Sequence, residues 1–547
     1  MFFRAKKSGS KCNPHEYLQI VESFRDGKSV RQRVIATLGR MDHLKASGQI
    51  DALMRSLARF TETLQVISAA RNPKITTCKA KSWGPPLVFG RLWNQQGLTD
   101  LINSLASGRK FVFDIERAVF ALTLQRLCEP GSDLQGSHWL NSVECPGFEQ
   151  LQLQHLYRAT GFLHDVRHDL ERELFFRDLN LFNQQLDLVF LDTTSTYVYR
   201  DEETSYCKRG YSRDKRSDLP QFVLCVAVNA EGWPVAWEVF PGNTADIEAF
   251  EQVIAKLRER FRINRVIVVA DRGMISQRSI KILTEHEEAP FDYVLGCRMR
   301  RQKEIKEEVL PRAGRYQEVA SNLVLPRAGR YQEVASNLMV KEVRVGDRRY
   351  VVCLNPDEAQ KDAANREGIL AKLEKTISQK GPKAVIGNKG YARFLKVRKG
   401  GLTINQEAVE ADQRLDGKFV LMTNTDLPAS EVAKTYKGLW RVERTFRKEK
   451  STLEVRPIYH HRDDTSIGHI VASFLALRLD VDLQARLDKK DVDTSWPDLM
   501  RDLNQLQAIR MRLEGNNYLI RTDFEGHAYQ AFKAAGVQPP GRVTRLS

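Results

Sequence analysis

Leu186-Asp187-Leu188-Val189-Phe190-Leu191-Asp192 is a short apolar run that closes on an acid. It reads as a buried strand, being too short for a helix and rich in residues that favour sheets. Four more segments follow the same logic. Gln221 to Val228 is a second strand, Asn229 to Gly232 a turn, and Trp233 to Phe240 a third strand. Ala249 to Phe261 has the pattern of an amphipathic helix, and Arg265-Val266-Ile267-Val268-Val269-Ala270-Asp271 is a fourth strand, again closing on an acid. A helix over Ile275 to Glu285 and a strand over Tyr293 to Cys297 complete the series. Antiparallel strands, a crossover helix and further strands define the α/β class.

Upstream, the period is helical. Leu92, Leu98, Leu101, Ile102 and Leu105, then Val119, Leu122, Leu124 and Leu127, then Leu174, Phe175, Leu179 and Leu181 recur at helical spacing and read as packing faces. Residues 45–70 and 88–185 are therefore expected to be mostly helical. Residues 1–40 carry nine Lys/Arg and three Asp/Glu, a local net of +6. Alternating runs over residues 16–23 and 31–36, with Asp26-Gly27 between them, predict a basic hairpin or small sheet. That sheet is either a solvated edge or a phosphate-binding surface.

Downstream, residues 309–323 read VLPRAGRYQEVASNL, and residues 324–338 repeat them letter for letter. One adjacent copy is not a solenoid; it reads as an in-frame duplication, tolerated at the periphery and not in a core. Strands are expected over Val340 to Val345, Arg349 to Leu354 and Gly417 to Asn424, a charged helix over 361–378, and an exposed loop or hairpin over Lys380 to Gly401. Long helices are expected over Pro428 to Lys450 and Ser466 to Leu487, another near Trp496 to Gly515, and a loose end from Pro539.

The chain has 547 residues, which at roughly 150 per domain suggests three or four domains. Apolar residues make up 42%, enough for a sizeable core. Lys plus Arg number 85 against 69 Asp plus Glu, a net of +16, so a polyanion such as nucleic acid is the expected partner. No apolar run approaches the ~20 residues of a spanning helix, and the basic N-terminus lacks the apolar run of a secretory signal. Eight scattered cysteines without a C-x-x-C suggest neither a disulfide scaffold nor a zinc ribbon, and fit a reducing, cytoplasmic setting.

Asp192 and Asp271 share a context: each closes an apolar strand and precedes polar or small residues. Functional groups gather at such strand ends in α/β sheets, although an acid there is also a common turn former. Tyr436, Glu443 and Lys450 are spaced seven and seven, so one continuous helix would carry them on one face with Leu439 and Phe446. An ordinary charged helix with a core seam has the same spacing. Arg441, Arg444, Arg447 and Lys448 surround the acid, a cluster suited to phosphate. Other acids nearby in sequence, among them Asp187, Asp201, Asp214, Asp218 and Asp246, are set aside. His469 reads as a hydrogen-bonded core histidine, and His460-His461 lacks a partner at zinc-ligand spacing.

Asp192 in LDTTSTY, Asp271 in VVADRGM and Glu443 in YKGLWRVERTFRKEK resemble the three acids of bacterial insertion-sequence DDE transposases. The resemblance is to the branch with a Tyr-x2-Arg-x3-Glu-x6-Lys signature and a β-rich insertion before the last acid. Tyr436, Glu443 and Lys450 match it; the Arg position is Leu439, with Arg441 two residues on. RGYSRDKR (209–216), Pro-Gly-Asn-Thr (241–244), Asp416-Gly417 and Arg456 to His460 match as well.

The resemblance implies a ribonuclease-H-like catalytic core interrupted by a β-rich insertion, with a mixed N-terminal DNA-binding region and a helical C-terminal region. The expected divisions are 1–85 (basic, DNA-binding), 86–185 (helical), 186–300 (first half of the core), 301–412 (insertion with the duplication), 413–487 (second half) and 488–547. Cleavage at transposon ends and strand transfer would use two Mg²⁺ (or Mn²⁺) ions held by Asp192, Asp271 and Glu443, because hard cations take oxygen ligands. Tyr436, Arg441, Arg447, Lys450, Arg272, Arg209, Arg213 and Lys215 would contact DNA. Double-stranded DNA, both ends and target, is the implied partner, bound by a homodimer near the nucleoid. The alternatives are an end-binding repressor impaired by the duplication, and a metal-dependent nuclease of the same fold.

Overall fold

The computed structural model describes residues 1–8, 15–26, 29–58, 76–182, 188–260, 267–274, 276–284, 291–312, 314–318, 324–327, 330–333, 337–380, 393–398, 401–513 and 516–546. Several expectations lie outside these residues: Gly27 of the turn, residues 59–70 of the first helical stretch, the first residues of two strands (186–187 and 265–266), most of the 380–401 loop and parts of the duplication. The chain divides into two compact units.

The first unit comprises Met1–Trp83, Gln505–Phe524 and Gln538–Ser547. Strands β1 (Phe2–Ser8), β2 (His15–Asp26) and β3 (Ser29–Arg40) form an antiparallel sheet. Asp26 faces Ser29 at the end of the β2–β3 ladder. Strand β4 (Thr76–Ser82) joins a second sheet whose other strands come from the far end of the chain.

The second unit, Gly84–Asn504 with Glu525–Val537, holds a nine-stranded mixed sheet. Strands β5 (Leu188–Tyr197), β6 (Gln221–Asn229) and β7 (Pro234–Pro241) are antiparallel neighbours. Helix Asp246–Arg260 then crosses over, so that β8 (Ile267–Ala270) and β9 (Asp292–Gly296) run parallel to β5. The order β7-β6-β5-β8-β9 follows. Val189 and Leu191 point into a core shared with Phe250, Ile254 and Leu257 of the crossover helix. Phe190 and Asp192 point to the opposite face, as the two-residue period requires.

Past β9 the sheet continues. The duplicated segment supplies its short edge strand β10 (Gln317–Glu318) and a separate two-stranded sheet of β11 (Val324–Arg327) and β12 (Arg330–Glu333). Strands β13 (Met339–Val345), β14 (Arg348–Leu354) and β17 (Lys418–Thr423) extend the sheet in the order β10-β13-β14-β17-β9, so β10 is its edge. Between β14 and β17 lie helix Pro356–Lys380, the hairpin β15 (Leu395–Arg398) and β16 (Gly401–Ile404), and helix Gln406–Gln413. The expected β-rich insertion thus extends the core sheet, and much of it is helical. The bidentate Arg366–Asp416 ion pair, at 2.5 and 2.7 Å, ties the long helix to the turn that enters β17.

Helices Ile115–Cys128 and Asp463–Asp488 are buried on nearly all sides, as central helices of a layer must be, and both pack on Leu153–Phe182. Arg478 grips both oxygens of Asp178 at 2.8 Å, and Asp178 also accepts from the Trp233 indole at 2.9 Å, fastening this layer to the β6–β7 turn. Among the described residues no helix is long and apolar enough to cross a membrane.

Three sequence readings are corrected. Strand β5 does not end at Asp192: Thr193 to Tyr197 are β-branched, small or aromatic and stay paired with β6, and only the parallel ladder to β8 stops at Leu191. The Pro428–Lys450 helix is two helices, Ala429–Lys437 and Trp440–Ser451. The tight bonds Leu439 N to Tyr436 O and Arg441 N to Gly438 O mark the break. A Cβ on Gly438 would stand 2.4 Å from the Phe190 ring, so glycine is what lets the break press onto the sheet. The C-terminal region, expected to be helical, is mixed. Helix Trp496–Gln505 stops, and β18 (Gln507–Leu513), β19 (Asn516–Arg521) and β20 (Val543–Leu546) pair with β4 in the order β20-β19-β18-β4. The alternation Ile509-Arg510-Met511-Arg512-Leu513 is the period-two signal that the helical reading passed over.

Candidate active site

The parallel ladder between β5 and β8 ends with Leu191 facing Ala270, so Asp192 and Asp271 are the next residues on neighbouring strands. Helix Trp440–Ser451 packs over this face of β5 and carries Glu443 in its first turn. All three carboxylates line one cavity of about 340 Å³, together with Phe419, Tyr436, Lys437, Leu439, Trp440 and Val442. One water needs roughly 10–15 Å³ by this measure, so the space admits far more than bound ions. Oxygens of the three acids do not all lie within 4.8 Å of one another, so they bound an open cleft rather than a closed single-ion cage.

The electrostatics are those of crowded acids. Burial pushes the Asp192 carboxyl up to about 6; Arg213 and the Thr193 N–H oppose the rise, and Asp271 and Glu443 add to it. Burial raises Glu443 as well, with Asp271 adding and Arg447 opposing. Carboxylates that repel each other across a cleft form a site for hard cations. The donor set is oxygen only, and this fits a hard divalent metal and not a soft one.

The remaining candidates are distributed around this cleft. Tyr436 donates to Asp271 Oδ1 at 2.7 Å, and burial followed by Asp271 raises its hydroxyl. Arg213 Nη1 stands 3.6 Å from Asp192 Oδ1. Lys450 donates to Asp214 Oδ1 at 3.0 Å, with Arg456 on the other oxygen at 3.1 Å. Arg441 lies over the rings of Phe190 and Trp440, and burial lowers its pKa. Leu439, at the signature's Arg position, is buried. Arg447 and Arg272 are exposed beside Glu443 and Asp271. Arg209 is committed to its own loop through Glu203 and the Asp201 and Asp218 carbonyls. Lys215 is exposed, with a left-handed φ of 59°.

Sequence reasoning missed two contributors. Asp246, set aside above, opens the crossover helix and accepts from Thr193 Oγ1 at 2.7 Å. Arg298 donates to the carbonyls of Arg272 and Gly273 at 2.8 and 2.7 Å and so holds the turn after Asp271. Neither has a local signal beyond its charge. A separate buried cluster joins Asp133, His460 and His469. His469 Nε2 lies 3.2 Å from the Val455 carbonyl, and Arg126 pairs with Asp133 at 3.4 Å. The partner missing from the His460-His461 spacing thus comes from far upstream, yet the guanidinium already balances it.

A search of curated proteins finds no match. Among solved structures, the piggyBac transposase synaptic complex with hairpin DNA is similar at 10% identity, covering 77% of this chain and 79% of that one with a TM-score of 0.38. Residues 3–70 match the model of the IS1634 family transposase N-terminal domain. Residues 183–479 match that of the transposase DDE domain, which spans β5, β8 and the Glu443 helix. This match extends over more than half of the sequence, and the chain belongs to the DDE transposase family.

Proposed function

We propose that Asp192, Asp271 and Glu443 are the catalytic acids of this insertion-sequence transposase and that they hold two Mg²⁺ (or Mn²⁺) ions. The family cleaves DNA, transfers strands and depends on divalent metal. The observation that carries the reading is the single cavity lined by all three carboxylates. The strand order β7-β6-β5-β8-β9 supports a ribonuclease-H-like core. Bound divalent cations supply charge neutralisation and an acidified water to phosphodiester chemistry.

The chain's own groups do the rest. Asp192, whose carboxyl both other acids push up, would hold the ions together with Asp271 and Glu443. Tyr436 orients Asp271. Trp440 and Arg441 offer a flat face and a cation beside the cleft for the DNA strand. Lys450, Arg447, Arg272, Arg209, Arg213 and Lys215 supply positive charge along its path. The basic β1–β3 sheet contacts transposon ends, and a homodimer brings two ends and the target duplex together near the nucleoid.

The test is Asp192→Asn on linear DNA carrying both element ends. Mg²⁺-dependent cleavage is expected to vanish while end binding in EDTA stays near wild type. Unchanged cleavage would remove Asp192 from the site. A joined product formed by the wild-type chain separates transposition from simple nuclease action.

A further inference from the structure

Arg213 reaches two acids at once. Its Nη1 stands 3.6 Å from Asp192 Oδ1, and its Nη2 lies 3.0 Å from Asp246 Oδ1. Nη2 also donates to Thr193 Oγ1 at 2.6 Å, and that hydroxyl passes its own hydrogen to Asp246 at 2.7 Å. The backbone N–H of Arg213 is fixed to Ser195 Oγ at 3.1 Å, so the loop is stitched along β5. Asp246 also abuts the turn after Asp271: a Cβ on Gly273 would stand 3.6 Å from its Oδ2.

A guanidinium this close to Asp192 competes with any cation for the same oxygen, and two positive charges there repel. Asp246 supplies Arg213 with an alternative anion, a few ångströms away and at a helix N-terminus that favours it. We infer that Asp246 is a positioning residue that draws Arg213 off Asp192 and so sets the affinity of the acidic cleft for divalent cations. This rests on the acid-site reading above. Asp246 acts through Arg213, not as a ligand.

The test is a Mn²⁺ titration of the full chain without DNA, followed by electron paramagnetic resonance of the free ion. Asp246→Asn is expected to weaken Mn²⁺ binding roughly fivefold or more, because Arg213 then falls back on Asp192. Arg213→Gln should bind at least as tightly as wild type. The double variant should stay within about twofold of Arg213→Gln alone. Asp246→Glu, which keeps the charge, should recover most of the affinity and controls for misfolding. Equal weakening by Asp246→Asn in both backgrounds would make Asp246 a direct ligand and overturn the inference, as would no weakening at all. Asp192→Asn is run alongside. If it leaves Mn²⁺ affinity untouched, the acid-site reading fails; if it abolishes binding while Asp246→Asn does nothing, only the present inference fails.

Discussion

The Tyr436 hydroxyl donates to Asp271 Oδ1 at 2.7 Å, joining groups 165 residues apart. Gly296, at the end of β9, makes the approach possible, because a Cβ there would stand 2.4 Å from the Tyr436 oxygen. The ring itself stacks on Phe419, with centroids 5.9 Å apart. A phenol has one hydrogen to give, and here it goes to a carboxylate. Family likeness implies a DNA contact for this tyrosine; the geometry gives it an acid to orient.

Tyr436→Phe is therefore expected to slow metal-dependent cleavage roughly 10- to 100-fold and to raise the Mn²⁺ concentration needed for half-maximal rate. End binding in EDTA should change little. A gel-shift assay beside the cleavage assay checks this, and lost end binding with a normal metal requirement would assign Tyr436 to DNA instead.

Gly438→Ala should disturb the break that seats Glu443. The added carbon meets the Phe190 ring at 2.4 and 2.6 Å, against a buried strand that cannot yield. The expected loss is about 1–3 kcal/mol of stability, measured by urea unfolding, with cleavage falling alongside. Unchanged stability would show that the helix pair rides free of β5.

Deleting residues 324–338 should leave the melting temperature unchanged or raise it. Val309, in the first copy, and Leu338, in the second, are both buried anchors. Because the copies are identical, the deletion keeps Val309 and puts Leu323 where Leu338 stood. The deleted residues supply β11 and β12, which pair with each other and not with the nine-stranded sheet, and loop length itself costs little. A marked drop in melting temperature would mean that the second copy is integrated into the fold.

Glu449, on the helix that carries Glu443, gives a pH signature in stability. Its carboxyl is buried with Oε2 unpartnered, and burial pushes it from 4.5 up to about 7, with Lys450 opposing. Below pH 4.5 the group is protonated folded or unfolded and costs nothing. As pH rises through the window to about 7, only the unfolded chain ionises freely, so stability is lost. Glu449→Gln should thus match wild type near pH 4 and exceed it at pH 8 by about 1–3 kcal/mol. A difference that does not vary with pH would refute this.

Local chemistry carried much of the outcome. Apolar runs of strand length marked β5, β6, β7 and β8, and the acids at 192 and 271 could be paired because each follows the same kind of run. The seven-residue spacing singled out Glu443 as a candidate for a partly mistaken reason: Tyr436 and Glu443 stand on different helices, and the break depends on Phe190, 248 positions upstream of Gly438. The pairing of β4 with β18–β20 and the Arg213–Thr193–Asp246 relay were not legible, because each exists only once distant segments meet.

The most direct measurement is anomalous scattering from crystals of the full chain soaked in Mn²⁺. Density should appear in the cleft, touching oxygens of Asp192 and Asp271, with Glu443 completing the set. Manganese bound elsewhere, with none against Asp192, would contradict the assignment of these three acids to one metal centre.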